Sequence, residues 1–175
     1  MENEIKITED ITRYIGVVPI TEFDSIERMI IDRDWKIHYS WNATQELFFA
    51  SELTAKEIEY FNQFFQKYYD VYLAKDEYKG MELKKAYINC YPAYHPGGWH
   101  EDAPQGFTAL YFPFSFVDFK DEAGTEFKDL GVAPYQNNSL LLFPQALTHK
   151  GSGHTQVGKF KYSIAFKFLD PEFLT

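Results

Sequence analysis

The chain has 175 residues, 45% hydrophobic and 19% aromatic, enough for one domain that buries roughly two-thirds of the surface its unfolded form exposes. Its net charge of −9, with 26 acidic against 17 basic residues, argues against broad electrostatic attraction to nucleic acid or to an anionic membrane. A polar, acidic N-terminus, no apolar run long enough to span a bilayer, and Cys90 as the single cysteine predict a soluble, cytoplasmic protein without disulfides, in which Cys90 is a buried small hydrophobe.

In chain order, Thr21 to Ile31 opens with a cap residue and early acids and then repeats apolar residues at helical spacing. Trp35 to Tyr39 alternates like a strand and contains His38, which reads as structural. Thr54-Ala55-Lys56-Glu57 matches a capping box, and Ile58, Phe61, Phe65, Tyr68 and Tyr72 follow as one apolar stripe that should lie on a sheet. Beyond about residue 81 the texture changes to short aromatic and β-branched runs broken by Gly, Pro and Asn. Met81–Tyr91, Phe107–Val117, Glu126–Phe127, Ser139–Phe143 and Lys161–Leu169 all read as strands. The expectation is a mainly β, α+β domain over 1–175, with a helical part over about 1–80 packed on a jelly-roll, or double-stranded β-helix, core over about 81–170. The sequence says nothing about oligomeric state.

Within the β half, Gly97-Gly98-Trp99-His100-Glu101-Asp102 places an imidazole and a carboxylate two residues apart. Side chains at i and i+2 of an extended segment point the same way and can grip one ion, while His149 closes a third corner from a distant strand. Two imidazoles and one carboxylate with an open opposite face are the ligand set of non-heme Fe(II) oxygenases, although these ligands alone also accept zinc. His95 and His154 flank the motif and read as loop residues touching solvent or substrate. Trp99 should pack beside the site, Gly97 and Gly98 should allow a close backbone approach, and Glu101 should face solvent.

Cys90-Tyr91-Pro92, the Gly97–Asp102 run, Gly124-Thr125-Glu126-Phe127, Ser139-Leu140-Leu141-Leu142-Phe143-Pro144, His149 and Lys161-Tyr162-Ser163 occur in an order that resembles the 2-oxoglutarate/Fe(II)-dependent dioxygenase superfamily. The likeness covers about residues 84 to 169 and is nearest the prolyl-hydroxylase-like branch. It implies that His100, Asp102 and His149 ligate Fe(II), and that Lys161 pairs with the distal carboxylate of 2-oxoglutarate. It further implies a hydroxyl donor at Ser163 and pocket walls at Tyr91 and Tyr111. Most relatives carry Arg at the Lys161 position; some prolyl hydroxylases use Lys, which offers a point charge without Arg's fork. Lys159 lies on the same face by parity, and the Lys-x-Ser match favours Lys161.

The implied reaction is hydroxylation of a C–H bond with consumption of O2 and 2-oxoglutarate and release of succinate and CO2. Its substrate is a peptide, a protein or a small molecule, with a prolyl residue or an amino acid favoured and nucleic acid disfavoured. Two other readings stay open. One is a metal-binding jelly roll that isomerises or hydrolyses without 2-oxoglutarate, and the other is a non-catalytic binding module.

Overall fold

The computed structural model describes residues 3–39, 47–113 and 123–174. Its strands are β1 (Glu4–Lys6), β2 (Thr12–Ile15), β3 (Lys36–Tyr39), β4 (Leu47–Glu52), β5 (Glu82–Pro92), β6 (Phe107–Phe112), β7 (Gly124–Phe127), β8 (Gly131–Pro134), β9 (Ser139–Pro144), β10 (His149–Ser152) and β11 (Phe160–Leu169). Two α-helices, α1 (Phe23–Ile31) and α2 (Ala55–Leu73), accompany them. An eight-stranded sheet runs β1-β2-β9-β6-β11-β5-β4-β3, and a three-stranded sheet runs β10-β7-β8. All the pairings are antiparallel, giving the mainly β, jelly-roll architecture expected from the sequence. No helix among the described residues is long and apolar enough to cross a membrane.

The local chemistry explains why α2 lies where it does. Thr54 and Glu57 form the expected reciprocal capping box, the Glu57 carboxylate accepting from the Thr54 amide at 2.7 Å. The stripe predicted from Ile58 to Tyr72 buries Phe61, Phe65, Tyr68 and Tyr72 and gains Tyr69. These rings meet the large sheet edge to face or tilted: Phe65 on Tyr111 at 5.0 Å, Phe61 on Phe166 at 5.7 Å and Tyr69 on Phe168 at 4.7 Å between centroids. A second cluster, including Ile11, Phe112, Phe127, Leu141 and Phe143, fills the space between the two sheets. Cys90 is buried, and burial pushes its thiol up to about 12, as suits a packing residue rather than a nucleophile.

The first eighty residues differ from the helical expectation. β3 falls where the alternation from Trp35 to Tyr39 predicts a strand, whereas β1, β2 and β4 come in addition to it and to the two helices, and β1 and β2 extend one side of the large sheet by pairing β2 with β9. These strands are only three and four residues long, and Thr12-Arg13-Tyr14 is buried on both faces, so no alternation marks them. The predicted Phe107–Val117 strand stops at Phe112, before Pro113, which has no amide to donate to the ladder. Its last four positions, 114–117, lie outside the described residues.

Candidate metal centre

The segment after β5 is laid beside β10 as though it were another strand. The Gly97 amide donates to the Gly151 carbonyl at 2.7 Å, and a β-carbon on Gly97 would meet the Gly151 nitrogen at 3.1 Å, so the close approach depends on glycine. Three residues on, His100 and His149 exchange both backbone hydrogen bonds at 2.9 Å in an antiparallel bridge. The Asp102 amide then donates to the Gln145 carbonyl at 3.0 Å. Gln145 is buried, and its side-chain amide ties the Phe107 and Phe168 carbonyls at 2.9 and 3.1 Å. An i, i+2 pair on one edge and His149 on the facing edge therefore converge.

One donor atom from each of His100, Asp102 and His149 lies within 4.8 Å of the others. The Nε2 atoms of His100 and His149 stand 3.6 Å from Asp102 Oδ1 and Oδ2 respectively. Each ring directs Nδ1 at a carbonyl, His100 at Gly98 (2.8 Å) and His149 at Leu147 (2.7 Å). A carbonyl only accepts, so the proton sits on Nδ1 and Nε2 keeps its lone pair for a ligand. Burial brings His149 down to about 4, which keeps it neutral near pH 7, whereas the Asp102 hydrogen bond raises His100. Burial works against the Asp102 carboxylate, but the His100 hydrogen bond and the Lys167 charge outweigh it and hold the group well below the usual range.

Between the sheets beside this trio is a cavity of about 40 Å³. Strand parity decides what faces it. On β11, Lys161, Ser163, Ala165 and Lys167 point in, while Tyr162, Ile164, Phe166 and Phe168 pack toward α2. Lys161 is buried, rests its Nζ on the Ser152 carbonyl, and lies 4.8 Å from the Tyr91 ring centre. It makes no ion pair among the described residues, and burial lowers its pKa to about 7. Asn89, also buried and lining the cavity, has an Oδ1 with no hydrogen-bond partner.

Tyr91, Lys161 and Ser163 thus share the cavity, and Tyr111 does not. Tyr111 packs on Phe65 under α2, because on β6 it is Thr108, Leu110 and Phe112 that face inward; the expected wall is corrected to these neighbours. Lys159 precedes β11 and is exposed, away from the cavity that Lys161 enters. His154 lies in the loop after β10, as expected, but is buried with its Nε2 3.2 Å from the Tyr91 carbonyl and does not face solvent. His95 is half-buried. Trp99 is partly exposed under the Lys150 ammonium at 4.5 Å, and exposed Glu101 accepts from the Thr148 hydroxyl at 2.9 Å. Sequence reasoning missed Lys167, Thr108 and Asn89; alternation outward from Ser163 and Tyr91 was the signal that held Lys167 and Asn89, and Thr108 had none.

No protein-family profile and no curated protein matches the sequence. Solved structures do match over most of their length. A 2OG-Fe(II) oxygenase family oxidoreductase from Burkholderia pseudomallei aligns with a TM-score of 0.70 at 9% identity, covering 91% of this chain and 84% of that one. A Pseudomonas putida prolyl-4-hydroxylase aligns at 0.67 and 14%, covering 93% and 94%. A Trichoplax adhaerens prolyl hydroxylase, solved with a hypoxia inducible factor peptide fragment, aligns at 0.67 and 15%, covering 93% and 84%. At these identities the likeness speaks to architecture, and the chain has the fold of the 2OG-Fe(II) oxygenases, prolyl hydroxylases among them.

Proposed function

We propose that the chain is a 2-oxoglutarate- and Fe(II)-dependent dioxygenase, acting as one domain over 1–175, that hydroxylates a C–H bond with release of succinate and CO2. The observation that carries this is the pairing of two features in one cavity. Two imidazoles, each with Nδ1 on a carbonyl and Nε2 turned toward Asp102, converge with that carboxylate, and a buried ammonium at Lys161 stands nearby without a carboxylate among the described residues. A dicarboxylate cosubstrate supplies the missing countercharge.

His100, Asp102 and His149 would hold the iron, which together with 2-oxoglutarate and O2 supplies the oxidising chemistry. Lys161 would take the distal carboxylate, Ser163 would add a hydroxyl, and Tyr91 and Asn89 would wall the site. The two sheets keep these groups from bulk water, which strengthens each charge contact. Lys161 Nζ rests on the Ser152 carbonyl at the cavity wall and would exchange that contact for the distal carboxylate as the cosubstrate enters.

A prolyl residue or an amino acid is the substrate class favoured, and the peptide bound by the Trichoplax relative supports a peptide or protein. A reducing, cytoplasmic setting suits the single buried cysteine. The existing contact of Lys161 with the Ser152 carbonyl favours one rival, a metal-binding jelly roll that never takes 2-oxoglutarate. Anaerobic titration with Fe(II) and then 2-oxoglutarate separates the two. The dioxygenase develops the weak visible charge-transfer band of the chelate and forms succinate when O2 is admitted. A protein that binds metal yet shows neither band nor succinate overturns the proposal.

A further inference from the structure

Lys167 is the feature the proposed chemistry does not use. It stands on β11 opposite Thr108 of β6 and Lys85 of β5, on the cavity face, and is buried. Its Nζ donates to Asp102 Oδ2 and, at 3.1 Å, to the Thr108 hydroxyl. That hydroxyl in turn donates to the same Oδ2 at 2.7 Å. Both donors therefore converge on one carboxylate oxygen, which also stands 3.6 Å from His149 Nε2, while Oδ1, with no such donors, faces His100 Nε2 at 3.6 Å. An ammonium this deep is costly unless paired, and Asp102 is its ion-pair partner among the described residues.

We propose that Lys167 is a positioning residue for the metal: with Thr108 it holds Oδ2 of Asp102, so that the carboxylate ligates end-on through Oδ1 and binds the ion less tightly than an uncompensated carboxylate would. The role rests on the metal centre proposed above. Two physical effects lead there. An oxygen already accepting two hydrogen bonds, one from a cation, is a poor second donor, so the carboxylate does not chelate and the open coordination face is kept. A fixed positive charge beside the ligand also repels an incoming divalent cation across a low-dielectric interior. In the metal-free protein the same ammonium neutralises a carboxylate that would otherwise be buried alone.

The test uses Co(II) as the probe on the full chain, with wild type, Lys167→Met, Lys167→Gln and Lys167→Arg. Affinity is read by calorimetry, coordination by the visible absorption of Co(II), and stability by thermal melts with and without the ion. Lys167→Met is expected to bind Co(II) about tenfold more tightly or better, the equivalent of about 1.4 kcal/mol. Its metal-free Tm should fall, its metal-induced gain in Tm should grow, and its Co(II) spectrum should shift toward higher coordination number. Lys167→Gln, which keeps a neutral donor and guards against a variant that fails to fold, should tighten binding in the same direction. Lys167→Arg should stay near wild type. Equal loss of Tm in both states, with affinity and spectrum unchanged in Met and Gln, makes Lys167 a structural residue only and overturns the proposal. Wild-type protein that binds no Co(II) overturns the metal centre itself, and this role with it.

Discussion

The two faces of β11 are built from neighbouring residues and do opposite work. The face toward α2 carries Tyr162, Ile164, Phe166 and Phe168 and is stabilised by ring packing and excluded water. The face toward the small sheet carries Lys161, Ser163 and Lys167, two of them cations in an interior that disfavours charge. One strand thus joins a region that contributes stability to a region that consumes it. Buried charge is tolerated where the opposite face is packed well enough to hold the strand straight.

If that division is real, the largest effects of cavity-face changes should fall on ligand binding. His100→Ala, Asp102→Ala and His149→Ala should each abolish stoichiometric Fe(II) binding, measured by calorimetry, whereas His154→Ala should retain it. Dispensable His149 beside essential His154 would move the metal elsewhere.

On the α2 face the loss should appear as stability. Phe61→Ala or Phe65→Ala should cost about 3 to 5 kcal/mol in urea unfolding, because each leaves a void among tightly packed rings. Unchanged melts for both would mean that α2 is peripheral and the comparison false.

Lys161 sharpens the contrast further. Losing its charge-assisted contact should cost about 1.5 to 3 kcal/mol, or roughly 10- to 150-fold in 2-oxoglutarate affinity for Lys161→Met. Fe(II) binding should be unaffected, and exposed Lys159→Met should do little. A reversed ranking of the two lysines would refute the assignment read from the cavity.

A further expected effect is a pH dependence. Burial depresses Lys161 from its ordinary value of 10.5 to about 7, so between those values the unfolded chain binds a proton that the folded chain does not. Stability of the metal-free protein should therefore rise as pH increases from about 7, and this rise should vanish in Lys161→Met. Affinity for 2-oxoglutarate should weaken over the same range, since the ammonium it needs is being lost. A slope identical in wild type and variant would assign the dependence to other groups.

The sequence shows the metal trio and α2 plainly, because both announce themselves by spacing: His100 to Asp102 at a strand's period, Thr54 to Glu57 as a cap, and the aromatic stripe at a helix's. The faces of β6 were harder to read. Phe107–Phe112 is buried nearly throughout, so no exposed residue marks which parity looks inward; Thr108, its inward hydroxyl, has the small size of a packing residue, and Tyr111 lies on the α2 side. Lys167 was hidden for the related reason that a lysine near a strand's end ordinarily reads as solvated. The short strands β1 and β2 owe their place to pairing with β9, a contact distant in sequence that no local window contains.

Gln145 gives the site a particular vulnerability. The Asp102 backbone hangs from its carbonyl, and its side chain grips the carbonyls of Phe107 and Phe168, two rings stacked 4.5 Å apart that press against the aromatic layer under α2. The carboxylate is in effect moored to the hydrophobic layer. Slackening in that layer, from warming or from a drifting sequence, reaches the ligand geometry before the chain unfolds. A metal held by Asp102 would then be lost as an early symptom of a failing core, and what looks like a defect in chemistry would have its origin in packing a full sheet's thickness away.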